Sequence, residues 1–288
     1  MSDRGILSSL RYLFADVIGE DDDAPPFLPE RLPESVVPVA GDAIHMLIDY
    51  QGTSYAQLYV DRLRRFVGRH DVDDTMITEI ARLMAARMSY EDPIRIAQLT
   101  LATLDEQPVK PVDVVRKFRL DELIGALPAI VAEPVLDGLE WLGWLRMPFP
   151  IRFSTTGRLA IRRLKIEAGL KRWRLLSVRY AKERVWVERW LHMIDRSLTK
   201  QPAAAPVIIQ TATMVSGYGE VYRQGLADWS AIIDGLVKPT FDGVLALPDL
   251  AGAVAEARAV ALPDPRQAAL KRTIAEIRAQ VPVSSNAA

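Results

Sequence analysis

The chain has 288 residues, 49% hydrophobic, 25% charged and 7% aromatic, with a net charge of −1. This is the composition of one large or two small soluble domains, and it excludes a general polyanion binder. Cysteine is absent, which excludes disulfides, thiolate nucleophiles and Cys-ligated zinc or iron–sulfur sites.

Residues 1–33 read as an N-terminal segment. Ile6 to Val17 suits a short amphipathic helix, and Gly19 to Pro33 is an acidic, proline-rich linker that carries Glu20-Asp21-Asp22-Asp23. The start lacks the unbroken apolar core of a signal peptide. No stretch approaches the ~20 apolar residues of a membrane span, so the cytoplasm is the expected compartment and no membrane partner is expected. Residues 34–282 are predicted to form one helical domain and 283–288 a disordered tail.

Within that domain a helix is expected from about Pro38 to Tyr50, stopped by Gln51-Gly52. A second, capped by Thr53 or Ser54, runs to Gly68, and a third starts at Asp73-Asp74 and ends near Met88. Asp92 is a good N-cap with Pro93 at the favoured first helical position, so the helix Pro93 to Leu104 is expected to fold back as an αα-hairpin. Helical patterns return from Val112 to Gly125 and from Pro128 to Leu145, and Met147-Pro148-Phe149-Pro150 marks a sharp exit. Beyond the central stretch, helices are expected over Val207–Ser216, Glu220–Leu236, Asp249–Ala261 and Pro265–Gln280. Lys238 to Pro248 reads as irregular, with Phe241 to Leu247 able to pair as a short strand. The fold class predicted is all-α, a multi-helix orthogonal or bundle-like domain.

Ser154 to Lys200 is the predicted axis. Ser154-Thr155-Thr156-Gly157 supplies capping oxygens, and no proline follows until Pro202. Ile166, Leu170, Trp173, Leu176, Tyr180, Val187, Leu191, Ile194 and Leu198 recur at the helical period. Arg158, Arg162, Lys165, Arg172 and Arg179 share a face of such a helix, with Lys171, Arg174 and Lys182 beside them. This basic seam has three readings: a solvated face, a phosphate or nucleic-acid site that stacks bases on Trp173, Trp186 or Trp190, or a docking surface for an acidic protein. The tryptophans fall nearly in register with the apolar stripe, which favours core over base stacking. Arg158, Arg162, Lys165, Arg172 and Arg179 are the candidate partner-binding residues.

Catalytic constellations are scarce. Neither a glycine-rich dinucleotide turn nor a phosphate loop is present, and His45, His70 and His192 have no metal-site spacing. Asp92, with Glu91, Arg87 and Arg95 nearby, reads as a cap plus ion pairs that fix a hairpin rather than as an active cluster. On that reading, Asp92→Ala removes a cap worth roughly 0.5–2 kcal/mol. Gly217-Tyr218-Gly219 reads as a helix–helix corner. No catalytic, cofactor-binding or metal-ligating residue is assigned.

Three groups of words are familiar. The first is Asp49-Tyr50-Gln51 with Tyr55-Ala56-Gln57-Leu58-Tyr59-Val60-Asp61-Arg62-Leu63. The second is Arg87-Met88-Ser89-Tyr90-Glu91-Asp92-Pro93-Ile94-Arg95-Ile96-Ala97. The third is Gly169-Leu170-Lys171-Arg172-Trp173-Arg174 with Ser177-Val178-Arg179-Tyr180-Ala181, then Gly217-Tyr218-Gly219 and Arg223-Gln224-Gly225-Leu226. In this order, over about Leu32 to Leu236, the chain resembles the helical C-terminal portion of the beta subunit of indolepyruvate ferredoxin oxidoreductases. The gamma-type 2-oxoacid oxidoreductase domain that precedes it in that family has no counterpart here.

The resemblance implies a role in oxidative decarboxylation of aryl-2-oxoacids, with electrons passed to ferredoxin. It places thiamine diphosphate, magnesium and iron–sulfur clusters in a partner alpha-type subunit and none in this chain. The expected partners are that subunit and a gamma-type domain, with ferredoxin reached indirectly. The expectation is therefore a non-catalytic accessory subunit. The alternative is a free-standing helical adaptor that binds nucleic acid or another polyanion through the basic seam.

Overall fold

The computed structural model describes residues 25–106, 113–127, 129–145, 147–261, 264 and 266–280. The helix expected at Ile6–Val17 and the tail at 283–288 lie outside them. Helices dominate, with one two-stranded sheet, as the all-α reading expects. None of the described helices is long and apolar enough to cross a membrane.

Four helices come first: α1 Val37–Tyr50, α2 Thr53–Leu63, α3 Asp74–Met88 and α4 Pro93–Glu106. Asp73 caps α3 by accepting from the Met76 N–H at 2.7 Å, and Asp92 caps α4 by accepting from the Arg95 N–H at 2.6 Å. At α2 the cap is Gly52 rather than Thr53 or Ser54, with no side-chain oxygen involved. The chain does not close as the expected hairpin. Instead α4 turns away from α3 and packs on a later helix.

Val112 lies outside the described residues, and the helix expected to follow it begins instead as β1, Asp113–Arg119, leading into α5, Leu120–Gly125. After α6, Ala129–Trp141, the proline-rich exit is strand β2, Pro148–Ser154, antiparallel to β1 with Phe118 opposite Phe149 and Val114 opposite Phe153. Pro148 and Pro150 lie two residues apart, so their nitrogens share one edge of the strand. Proline is tolerated only where that edge is unpaired. A sheet of two strands is marginal alone. Here Phe118 and Phe153 bury against Ile96 and Ala97 of α4 and against Leu164, forming a small satellite core.

The expected central axis is broken into three helices. These are α7 Arg158–Gly169, the single turn α8 Lys171–Arg174, and α9 Val178–Lys200. Gly169 is a poor helix former, and Ser177 starts a new helix by accepting from the Tyr180 N–H at 3.1 Å. The N-cap of α7 is Gly157, with no side-chain cap. Ile166 and Leu170, placed in the buried stripe by periodicity, are 61% and 41% exposed, because the break shifts the helical phase.

Only α9 runs through the main core. Trp186 and Trp190 stack at 6.2 Å, with Trp229 5.1 Å from Trp186. Around them lie α10 Ala205–Gln210, flanked by 3-10 turns, and α11 Gly219–Ile232. A π-helical turn, Ile233–Val237, then carries the chain into α12, Lys238–Phe241, where Pro239 lacks an N–H to give. The strand expected over Phe241–Leu247 is instead the end of this helix and a turn. Helices α13 Leu250–Ala259 and α14 Ala268–Ala279 close the core. Leu28 and Leu32, in the predicted linker, pack against it as well.

Candidate functional site: a buried arginine–carboxylate–tyrosine cluster

The segments that carry the family resemblance meet in one place. The C-terminal end of α1 brings Tyr50 and Gln51, the α3–α4 junction brings Arg87, Tyr90 and Asp92, and the α8–α9 junction brings Arg174, Arg179 and Glu183. Arg174 is 1% exposed. Its guanidinium donates to Asp92 Oδ2 at 2.6 Å and Oδ1 at 3.1 Å, to the Tyr50 carbonyl at 2.7 Å and to Gln51 Oε1 at 3.1 Å. It also lies 3.9 Å from the centroid of the Tyr50 ring. Asp92 thus caps α4 and receives a buried cation at once. The sequence supplies the cap but not the partner, which lies 82 residues away.

The second half of the cluster is built on Glu183. It accepts from Arg87 at 3.0 Å and from Arg179 at 2.9 Å, and Arg179 stacks 3.8 Å from the centre of the Tyr222 ring. Arg87 also donates to the Val215 carbonyl and sits 5.0 Å from the Trp186 ring. Between the halves, Tyr55 donates to the Met88 carbonyl at 2.8 Å and Tyr50 to the Tyr90 carbonyl at 3.1 Å. Burial pushes the phenols of Tyr50, Tyr55, Tyr90 and Tyr222 above their ordinary range, so they stay neutral. Burial disfavours the Arg174 cation too, but the Asp92 carboxylate bonded to it opposes this, and its pKa is raised.

Beside the cluster is a cavity of about 650 Å³ walled by Met46, Leu83, Ala86, Arg87, Tyr90 and Val215. Asp42 and Glu91 also line it, and the buried Tyr90 hydroxyl has no hydrogen-bond partner among the described residues, whereas its two arginines are engaged elsewhere. Arg87 is held by Glu183 and Val215, and Arg82, also on the wall, by Glu79 at 2.7 Å. Among the described residues no three His, Asp or Glu side chains are grouped to hold a metal ion.

The basic seam does not survive as one surface. Arg158, Arg162 and Lys165 are exposed on α7, whereas Arg179 is packed inside the cluster. The side chain of Arg172 lies outside the described residues. Lys182 is exposed and Arg174 is buried, although both flank the same predicted face. Of the three tryptophans considered for base stacking, Trp186 and Trp190 are core and Trp173 is 54% exposed. Asp92 behaves as the structural cap the sequence predicts. Arg87 and Arg95, however, pair with Glu183 and Asp49 rather than with Glu91 or Asp92.

The Gly217-Tyr218-Gly219 corner has both glycines at positive φ, +70° and +68°, the conformation that favours glycine. Tyr218 between them packs on Phe118 at 5.4 Å, linking the main core to the satellite. At Gly225 a Cβ would lie 2.0 Å from the Met214 carbonyl oxygen, so α11 approaches the preceding turn as only glycine allows.

No curated protein and no solved structure matches the chain. Residues 36–235, which span α1 to α11 and hold the whole arginine–carboxylate–tyrosine cluster, match the family described as "Family of unknown function (DUF6537)", and the chain belongs to that family.

Proposed function

We propose that this chain is a non-catalytic accessory subunit of an indolepyruvate-type 2-oxoacid:ferredoxin oxidoreductase, working in the cytoplasm. In this reading thiamine diphosphate, magnesium and iron–sulfur clusters sit in a partner subunit, and the chain works together with a gamma-type domain. The observation that supports it is the convergence of the resemblance-bearing words on one cluster whose charged side chains are paired with one another. Arg174 and Asp92 pair together, Glu183 is shared by Arg87 and Arg179, and the phenols are held neutral. Such a cluster fixes five chain segments in register. It offers no free base or nucleophile near neutral pH. The absence of cysteine removes thiolate ligation of a cluster from this chain.

The adaptor reading keeps Arg158, Arg162 and Lys165 as exposed cations, while Arg179 is spent inside the fold. The test is co-expression of the chain with the cluster-bearing subunit and a gamma-type domain, followed by size-exclusion chromatography and an aryl-2-oxoacid:ferredoxin assay. The expected result is a stable complex that turns over, and an isolated chain that does not. Turnover by the isolated chain would overturn the non-catalytic assignment. A chain that ignores those subunits but retains oligonucleotides through purification would establish the adaptor instead.

A further inference from the structure

Most of the exposed large apolar side chains among the described residues lie between Val115 and Trp173, around the satellite core. Two helices there are patterned alike. On α6 the exposed carboxylates Glu133, Asp137 and Glu140 follow one another at steps of four and three residues, and Ile130 and Trp141 beside them are 89% and 86% exposed. On α7 the exposed cations Arg158, Arg162 and Lys165 have the same steps, with Leu159 and Ile166 beside them 82% and 61% exposed. None of these six charges enters an ion pair among the described residues, and the pair on α7, Arg163 with Glu167, uses other positions. The buried sides of the two helices are elsewhere, at Ala132 and Leu164.

We infer that α6 of one copy of this chain docks on α7 of a second copy, the contact being made twice across a twofold axis. At about 100° per residue each charged row occupies a strip about 60° wide, and each apolar row lies roughly 60–100° round the helix from its first charge in the same rotational sense. Two helices patterned with the same sense place charge on charge and apolar on apolar only when they run antiparallel. Antiparallel pairing then sets Glu133 against Lys165, Asp137 against Arg162 and Glu140 against Arg158. It brings Ile130 near Ile166 and Trp141 near Leu159. An acidic partner protein would cover α7 and leave α6 bare. A second copy covers both, and a twofold arrangement closes without leaving a sticky end.

The inference is independent of the oxidoreductase reading and is tested on the full chain alone by size-exclusion chromatography with light scattering. Wild type is expected at twice the chain mass. The triple reversals Glu133→Lys/Asp137→Lys/Glu140→Lys and Arg158→Glu/Arg162→Glu/Lys165→Glu should each raise the dissociation constant more than tenfold and run as monomers with unchanged circular dichroism. Mixed in equal amounts, they should form dimers again, because each then offers two rows that complement the other. Leu159→Ser, at an exposed position, should weaken the dimer without altering charge. A monomeric wild type, reversals that stay dimeric, or a mixture that remains two monomers would each overturn the inference. So would a Leu159→Ser chain that dimerises like wild type.

Discussion

Replacing Arg174 with methionine probes the buried cluster most directly. Methionine keeps the unbranched stem, so the cavity left is small, and the main loss is electrical. The change removes two hydrogen bonds to Asp92, one to the Tyr50 carbonyl, one to Gln51 Oε1 and the stacking on the Tyr50 ring. It leaves Asp92, which is 6% exposed, as a buried charge facing no cation. Removing one member of a buried pair costs about 3–5 kcal/mol, a large part of the ~5–15 kcal/mol that holds a typical domain.

Asp92→Asn should cost a similar amount, since it strands the Arg174 cation while the amide oxygen still accepts from the Arg95 N–H. Asp92→Ala should cost more again, by the roughly 0.5–2 kcal/mol of a lost N-cap. That total exceeds the cap value alone, which is all that the sequence supports. The double variant Asp92→Asn/Arg174→Met removes both charges and should be less damaging than the sum of its parts, with a coupling near the upper end of about 0.5–3 kcal/mol. Urea unfolding followed by far-UV circular dichroism measures all four. An Arg174→Met midpoint shift equivalent to less than about 1 kcal/mol, or strict additivity in the double variant, would refute the structural assignment of the pair.

Three further outcomes follow from the same geometry. Burial raises the phenols of Tyr50, Tyr55, Tyr59, Tyr90 and Tyr222, so their stabilisation is whole below about pH 10 and is lost as pH climbs through the raised values. Phenolate absorbance from these five should therefore rise only with unfolding, and a free titration at the ordinary value would contradict their burial. Burial disfavours the Glu188 carboxylate, but Arg62 and Arg65 outweigh it and hold its pKa below the usual range; its stabilisation is present above about pH 4 and fades as pH falls through the lowered value. Glu188→Gln should flatten the acid limb of the stability curve, and an unchanged limb would remove Glu188 from that account. Gly225→Ala forces α11 off the Met214 carbonyl and should destabilise by about 1–3 kcal/mol in thermal or urea melts, whereas a neutral effect would mean that the close approach relaxes freely.

What the sequence displays well is local. Asp73 and Asp92 announce helix starts because a cap acts over three residues, and Gly217 and Gly219 announce a corner because only the backbone there needs positive φ. What it hides is long-range. Val114-Val115-Arg116-Lys117-Phe118 looks helical until β2, more than thirty residues on, supplies its partner. Pro148 and Pro150 look like a stop until one edge of the strand is known to be unpaired. Gly169 and Ser177 break an axis that periodicity alone carries through, and after each break the helical phase starts afresh.

The fate of the basic seam follows from that loss of phase and from where carboxylates arrive in space. On a helical wheel Arg174 and Lys182 flank one face, yet Arg174 is sealed and Lys182 is exposed. The difference lies in Asp92, already anchored as a helix cap, which stands where a guanidinium from the α8 turn can reach it twice. Arg179 is drawn inside likewise by Glu183, whose other oxygen is claimed by Arg87 from 96 residues away. Arg158, Arg162 and Lys165 meet no such carboxylate among the described residues and stay exposed, and the exposed row of opposite sign and equal spacing lies on α6. A cation in this protein is therefore structural or available according to which distant acid the fold delivers to it. The planar guanidinium serves the buried role because it spreads its charge over several donors and stacks on tyrosine, an option that lysine lacks.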